Sequence, residues 1–281
     1  MLNALSVDVE DWFQVGAFET VIDRADWDRL PARVERNGEA VLALFARAGV
    51  KATFFTLGWV AARYPRLVRR IVAQGHEIAS HGWDHRRVFT MNAATFRADL
   101  ASARKAIEDA CGQSPRGYRA PSFSIDARTP WAHRVLADEG YAYSSSVAPV
   151  AHDHYGWREA PRFAFRPVDG AELVELPVTT VELAGRRMAA GGGGFFRLLP
   201  LSLSSWAIGR VNHVEGRPAV FYFHPWEIDP NQPRVARAPL KSRLRHYTNL
   251  SRMEPKLLKL LASHSWGRTD EVVAFERARL A

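Results

Sequence analysis

The sequence predicts an α/β fold, a barrel of alternating strands and helices that carries a C-terminal extension. Short β-like runs alternate with helix-like stretches along most of the chain, which is typical of βα units. Polar side chains that can do chemistry follow the apolar runs, and in α/β barrels the carboxyl ends of the strands meet on one face. The length, 281 residues, suits one barrel of roughly 250 residues with an extension.

The individual elements are predicted from apolar runs and the residues that interrupt them. Strands or extended segments are expected at residues 4–10, 51–57, 76–81, 117–123, 141–147, 172–183 and 218–224. Helices are expected at residues 35–48, 59–75 with a break near Pro65, 93–111, 128–139, 203–215 and 254–263. Four glycines at residues 191–194 predict a flexible loop. The chain turns basic and proline-rich after residue 230, so we predict a barrel at 1–230 and an extension at 231–281 packed on it.

Composition limits the classes of partner and compartment. The net charge is +8, but the 33 arginines are scattered, so we predict no nucleic-acid partner. Cys111 is the single cysteine, so no disulfide can form within the chain. The chain has no apolar run of transmembrane length, and its first residues lack the pattern of a signal peptide. We therefore expect a cytoplasmic protein, with peripheral contact at the inner face of the membrane left open.

Two histidines stand four residues apart in SHGWDH, residues 80–85. At that spacing His81 and His85 can face the same point, and neutral imidazole is a common ligand of zinc and similar metals. The alternative is a pair of polar residues at a strand exit that bond only to the backbone.

Three carboxylates follow the first apolar run in SVDVED, residues 6–11. In a strand Asp8 and Glu10 share a face, while Asp11 lies on the other. Their mutual repulsion calls for a cation or a raised pKa, although acidic residues also cap the start of a following helix.

A His-His-carboxylate set leaves metal coordination positions open, which is typical of a catalytic site. Hydrolysis also needs a base for water and an acid for the leaving group. A second carboxylate beside the metal can be the base, His224 can be the acid, and Arg119 can orient the base. The alternative is that Arg119 and His224 are ordinary loop residues.

The order of these motifs resembles that of the polysaccharide deacetylases, the NodB-homology enzymes of carbohydrate esterase family 4. More closely, the chain is similar to an exopolysaccharide-locus subgroup associated with exosortase systems. The resemblance covers residues 5 to about 250 and is carried by SVDVEDWFQV, GHEIASHGWDH, RGYRAPSFSI, YSSSV, ELPVTT, GGGGFFRLLP and FYFHPWEIDP.

The resemblance implies a distorted (β/α)7 barrel of the NodB-homology type. It also implies metal-dependent removal of acetyl groups from the N-acetylated amino sugars of an exopolysaccharide or its lipid-linked precursor. Zinc is the predicted metal. Carried over by position, Asp8 matches the catalytic base, His81 and His85 the metal-binding pair, Arg119 the arginine that holds the base, and His224 the catalytic acid.

Two positions depart from the family pattern. Val9 follows Asp8 where the family usually has a second aspartate, so the metal carboxylate is Glu10 or Asp11, and the strand argument favours Glu10. Serines at residues 144–146 stand where many relatives carry an aspartate that tunes the catalytic histidine, and Asp126 or Glu175 is a candidate replacement.

Several further residues are candidates for substrate contact, with core packing as the alternative. They are Trp12, Trp83, Pro121, Phe123 and Trp226. The segment from Gly191 to Arg197 is either a loop that closes over the substrate or a plain connector. The basic stretch at residues 234–252 either contacts an anionic glycan or lipid-linked pyrophosphate, or is a solvated surface.

Two other functions fit the same barrel. One is a metal-dependent amidase that acts on a small molecule of the ureide type. The other is a non-catalytic glycan-binding barrel, which predicts loss of the base or the acid, yet Asp8 and His224 are both present.

Overall fold

The structure is a computed structural model that describes residues 1–151 and 156–280. Its strands are β1 (Leu2–Val9), β2 (Thr53–Thr56), β3 (Glu77–Ser80), β4 (Gly117–Tyr118), β5 (Tyr143–Ser144), β6 (Val174–Glu175), β7 (Thr180–Leu183), β8 (Arg186–Ala189), β9 (Val220–Phe223) and β10 (Ser265–Gly267). Its α-helices are α1 (Val34–Ala48), α2 (Gly58–Arg63), α3 (Pro65–Ala73), α4 (Ala93–Cys111), α5 (Ala132–Asp138), α6 (Gly193–Leu198), α7 (Leu201–His213), α8 (Leu240–Tyr247), α9 (Leu250–Ser263) and α10 (Thr269–Leu280).

The main sheet is parallel in all of its described pairings. Its order is β10-β1-β2-β3-β4-β5-β6, and β9 pairs with the other side of β1. The N–H of Thr179 donates to the carbonyl of Val220 at 3.3 Å, which brings the segment after β6 against β9. Strands β1 to β6 and β9 therefore curl into a distorted barrel with seven strands.

The glycine run at 191–194 is ordered against β9, so the prediction of a flexible loop is wrong. Gly192 pairs with Tyr222, and Gly193 is the first residue of α6. A Cβ on Gly191 would lie 2.2 Å from the carbonyl oxygen of Val220. These glycines allow two backbones to approach closely, which is a different use of glycine from chain flexibility.

The C-terminal region contributes to the main sheet. Residues 2–4 of β1 pair in parallel with β10, at residues 265–267. The division at residue 230 stays a prediction, but the last forty residues contain both this strand and helices α9 and α10. Among the described residues, no helix is both long and apolar enough to cross a membrane.

The strands place the candidate chemical groups on one face of the barrel. Glu10, His81, Arg119 and His224 are each the first residue after β1, β3, β4 and β9, respectively. Because parallel strands bring their carboxyl ends to the same edge, four segments distant in sequence deliver side chains to a single region.

Candidate active site

A cleft of about 170 Å³ opens at the carboxyl ends of the strands. Its lining includes Asp8, Glu10, His81, His85, Ser122, Phe123, Tyr222, His224, Trp226, Ser242 and Arg245. Carboxylates and imidazoles thus share one concave surface with aromatic rings, as expected of a site that binds a small polar group.

Glu10, His81 and His85 form a group that can hold a metal ion. One ligand atom from each lies within 4.8 Å of the others, and all three residues are buried. The Nδ1 of His81 hydrogen-bonds to the carbonyl of Arg119 at 2.8 Å. That bond makes Nδ1 the donor and leaves Nε2 as the metal ligand, the usual arrangement around a metal-binding histidine.

The donor atoms of this group fit a cation. The Oε2 atom of Glu10 is buried and accepts no hydrogen bond among the described residues, although the Nε2 of His85 lies only 2.9 Å from it. A buried carboxylate oxygen without a partner costs free energy, and a bound cation would remove that cost. One carboxylate oxygen with two imidazole nitrogens is a common zinc donor set.

The protonation states of Glu10 and His81 also suit a cation. Burial alone would raise the pKa of Glu10, but His85 and His224 outweigh it and lower this pKa to about 2. Burial lowers the pKa of His81 to about 4, so its imidazole is neutral near pH 7. A charged carboxylate and a neutral imidazole are the forms that bind metals.

Asp11 lies on the other side of the chain from Glu10. Its Oδ2 accepts the backbone N–H groups of Arg33 at 2.6 Å and Val34 at 2.9 Å. Asp11 therefore caps the start of α1, while burial raises its pKa to about 6. The sequence predicted either a cation site or a helix cap for the acidic run. Glu10 faces the histidines as a cation ligand would, and Asp11 caps a helix.

Asp8 is held by the buried guanidinium of Arg119. Nη1 of Arg119 lies 2.7 Å from Oδ1 of Asp8 and 2.8 Å from the hydroxyl of Ser6. Its Nε and Nη2 donate to the carbonyl and the hydroxyl of Ser145, each at 3.0 Å. Because Ser6 and Ser145 fix the guanidinium of Arg119, this group holds the carboxylate of Asp8 in one orientation beside the candidate metal group.

His224 stands across the cleft and has two carboxylate neighbours. Its Nδ1 lies 2.8 Å from Oε1 of Glu227, and its Nε2 lies 3.4 Å from Oε1 of Glu10. Burial would lower the pKa of His224, but Glu10 and Glu227 together raise it to about 9. Without a metal, the ring is therefore protonated near pH 7.

The suggestion that Asp126 or Glu175 replaces the family's tuning aspartate is wrong. Asp126 binds Arg128 two residues further on, at 2.5 Å. Glu175 pairs with His133 at 2.9 Å on another part of the barrel. The carboxylate on Nδ1 of His224 belongs to Glu227.

The predicted substrate-contact residues divide into two sets. Phe123 and Trp226 line the cleft. Trp12 is buried in the core and donates its indole N–H to the carbonyl of Pro31. Trp83 lines a separate cavity beside α2 and α4, and Pro121 is buried outside the cleft lining. Trp12, Trp83 and Pro121 therefore leave the set of candidate sugar contacts.

Sequence reasoning missed some residues at the site. They are Ser6, Arg197, Tyr222, Glu227, Ser242 and Arg245. The signal for Tyr222 was present, because the two-residue period of a strand places it on the same face as His224. Glu227 stands at the fourth position of HPWE, where a tight turn returns a side chain to the residue three before it.

Two consecutive segments of the chain, each of which contributes residues to this site, match known protein families. Residues 26–143 match the family described as polysaccharide deacetylase. This segment, less than half of the chain, is thus similar to a polysaccharide deacetylase domain. Residues 145–274, which follow the deacetylase match, fit a family described as a domain of unknown function. The first match contains His81, His85 and Arg119, and the second contains His224.

A chitooligosaccharide deacetylase of Bradyrhizobium sp. is among the proteins similar to part of the chain. It is 37% identical over 128 residues, which are 45% of this chain and 52% of the relative. The chain thus spans about half the length of the curated relatives it matches most strongly. A chitin deacetylase of Pestalotiopsis sp. is 37% identical over 118 residues, 41% of this chain and 39% of the relative.

Solved structures share the fold over nearly the whole length of the chain. A putative polysaccharide deacetylase from Mycobacterium smegmatis superposes with a TM-score of 0.64 at 21% identity, over 99% of this chain and 90% of that one. The allantoinase PuuE superposes with a TM-score of 0.60 at 14% identity, over 99% and 90% of the two chains. The predicted α/β class and distorted barrel are confirmed.

Proposed function

We propose that the protein is a metal-dependent hydrolase that removes acetyl groups from N-acetylated amino sugars. One observation carries the proposal. One cleft contains a candidate metal group, a carboxylate fixed by an arginine, and the histidine at residue 224. Amide hydrolysis needs these three functions within reach of one carbonyl.

Glu10, His81 and His85 would hold the metal, which would supply Lewis-acid activation of the acetyl carbonyl and of water. Zinc is the metal that these ligands favour. His81 presents Nε2 because its Nδ1 bonds to the backbone, and Glu10 supplies the one negative charge of the ligand set.

Proton transfer is assigned to Asp8 and His224. Asp8 takes a proton from the attacking water as the new C–O bond forms. Arg119 keeps Asp8 in place and stays protonated throughout. As the C–N bond breaks, the Nε2 of His224 gives its proton to the sugar nitrogen, and the products are acetate and a free amine. At the end of the cycle Asp8 releases its proton to solvent, and the Nε2 of His224 takes up a proton from solvent.

The proposed substrate is an N-acetylglucosamine-containing glycan. The relatives named as chitooligosaccharide and chitin deacetylases support this class of substrate. The volume of the cleft, about 170 Å³, is on the scale of a single acetamido group rather than of a whole oligosaccharide. An exopolysaccharide, or its lipid-linked precursor at the cytoplasmic face of a membrane, is the finer proposal. It rests on the exopolysaccharide-locus resemblance, which stays a prediction.

The test is acetate release from N-acetylglucosamine oligomers by the full chain, with zinc and with a chelator. Asp8→Asn should lower kcat by about 10²–10⁴-fold, the usual contribution of a general base. His81→Ala should abolish zinc binding. His76→Ala is its matched control, since His76 is also buried but packs against Phe45 and Phe54.

The outcomes separate the proposed function from its alternatives. Zinc-dependent release that is lost in Asp8→Asn and retained in His76→Ala would support deacetylation. Hydrolysis of allantoin without acetate release from glycans would support the ureide amidase instead. A protein that binds no zinc would overturn the metal site.

A further inference from the structure

We propose that Glu227 and Arg197 are positioning residues for His224, and that the chain segment at residues 245–248 holds this pair in place. The inference rests on the proposed function, in which His224 protonates the leaving amine. It assigns part of the region of unknown function to the catalytic step, where it keeps the proton donor aimed at the substrate.

The turn after β9 brings Glu227 back onto His224. Residues Pro225–Ile228 form one 3₁₀ turn that begins directly after His224. The Oε1 of Glu227 is 2.8 Å from Nδ1 of His224 and also accepts the backbone N–H of that residue at 3.1 Å. A carboxylate that binds both groups fixes the ring plane, so Nε2–H points into the cleft.

The other oxygen of Glu227 is bound by Arg197. The Nε of Arg197 donates to Oε2 of Glu227 at 2.7 Å, and both side chains are buried. A buried carboxylate between a histidine and an arginine stays ionised, and the two cations hold it from opposite ends. Glu227 therefore accepts a hydrogen bond from Nδ1–H of His224, and the proton stays on the imidazole.

Arg197 is fixed in turn by backbone carbonyls from the end of α8. Its Nη1 donates to the carbonyls of His246 at 3.0 Å and Thr248 at 2.6 Å, and its Nη2 donates to that of Arg245 at 3.1 Å. With the bond to Glu227, these contacts use all three guanidinium nitrogens. Lysine could not replace this fork, because a single ammonium group cannot reach the same set of acceptors.

Gly193 explains why part of the glycine run stands where it does. A Cβ at this position would lie 2.3 Å from Oε1 of Glu227. Four residues later, on the same side of α6, Arg197 reaches the same carboxylate. Helix α6 thus presents a backbone without a Cβ and a guanidinium to Glu227. Both features allow the Glu227 carboxylate to lie where it contacts His224.

The experiment compares two leaving groups in the full-length zinc-loaded protein. Release of a sugar amine needs a proton from His224, whereas release of nitrophenolate from 4-nitrophenyl acetate needs none. Glu227→Gln should lower kcat for N-acetylglucosamine oligomers about 10²-fold with KM within about 3-fold. It should lower 4-nitrophenyl acetate hydrolysis by less than about 3-fold, and Arg197→Lys should show the same selective loss.

Glu175→Gln is the matched control, because Glu175 is also fully buried and also pairs with a histidine, His133. Any activity that this variant loses should be lost equally on both substrates. In a His224→Ala background, Glu227→Gln should cause no further loss, since a positioning residue acts through the group it positions. Equal losses on both substrates in Glu227→Gln, or no loss on either, would overturn the proposal.

A readout without substrate separates this inference from the proposed function. The hydrogen-bonded Nδ1 proton of His224 should give a low-field ¹H NMR signal that disappears in Glu227→Gln and persists in Glu175→Gln. If the wild type releases no acetate from glycans, the proposed function fails, and this signal alone decides whether Glu227 positions His224. A signal that persists in Glu227→Gln would refute the positioning role.

Discussion

Two adjacent carboxylates at the end of β1 have opposite environments. Glu10 faces His81 and His85 with one oxygen unsatisfied, whereas Asp11 accepts the first backbone N–H groups of α1. The first environment is suited to a cation and the second to helix stability. Substitution of Glu10 should therefore change zinc affinity, whereas substitution of Asp11 should change the free energy of unfolding.

We predict that Glu10→Gln weakens zinc binding at least about 10²-fold, because the ligand set loses its only negative charge. Asp11→Ala should keep zinc affinity within about 3-fold and lower the free energy of unfolding by about 1–3 kcal/mol, since it leaves buried backbone donors without a partner. Calorimetric zinc titration and urea unfolding measure the two effects. Strong loss of zinc binding in Asp11→Ala would contradict the assignment.

The sequence located the residues that follow apolar strands but not those that depend on a turn. Glu10, His81, Arg119 and His224 could be found because the direction of parallel strands alone determines that their ends meet. Arg197 and Glu227 could not be found in this way. Their contact depends on a 3₁₀ turn and on a short helix packed against it, and neither has a period that a sequence pattern shows.

Among the elements, β3 begins at a partly buried carboxyl group, that of Glu77, with a raised pKa. Glu77 accepts hydrogen bonds from Thr53 at 2.5 Å and from Tyr143 at 2.8 Å. Burial, with repulsion from Asp270, raises its pKa from 4.5 to about 7. The folded chain therefore holds a proton that the unfolded chain releases between these pH values.

The sign of the effect follows from this difference in protons. The contribution of Glu77 to stability is complete below about pH 4.5 and is lost as the pH rises toward 7. We predict that from pH 5 to pH 8 the wild type loses about 1–3 kcal/mol more stability than Glu77→Gln. Urea unfolding at both pH values tests this. Glu182→Gln, an exposed change on the β7–β8 hairpin, should behave as the wild type, and a parallel pH dependence in all three proteins would contradict the prediction.

Helices were located more accurately than strands. The predictions at residues 35–48 and 93–111 agree with α1 and α4 because Gly49 and Gly112 take the left-handed conformation that ends each helix. The strand predicted at 141–147 is reduced to the two residues of β5, and the run at 172–183 is divided between β6 and one strand of a hairpin. Pairing partners decide where a strand ends, and a local pattern does not contain them.

At the scale of the whole molecule, the C-terminal region is joined to the first strand. Trp266 of β10 is buried and contacts Phe221 of β9 with ring centroids 6.0 Å apart. Leu257 and Leu260 of α9 are fully buried in the main core cluster. This strand and this helix cover apolar surface that residues 1–230 would otherwise expose.

We predict that residues 1–230 alone do not form a cooperatively folded barrel. They lack the partner of residues 2–4 and the carbonyls that surround the guanidinium of Arg197. Thermal unfolding by circular dichroism should show no sharp transition for this fragment, whereas the full chain should show one. A folded, zinc-binding fragment would instead support the boundary at residue 230.

Trp226 is stacked between two imidazoles, with ring centroids 5.1 Å from His224 and 4.1 Å from His246. Its indole N–H also donates to Oε1 of Glu10 at 3.3 Å. A protonated imidazole in contact with an indole quenches its fluorescence. The difference in fluorescence emission between the wild type and Trp226→Phe should therefore report the charge on His224 and the binding of a cation to Glu10. It can be measured in real time without any substrate.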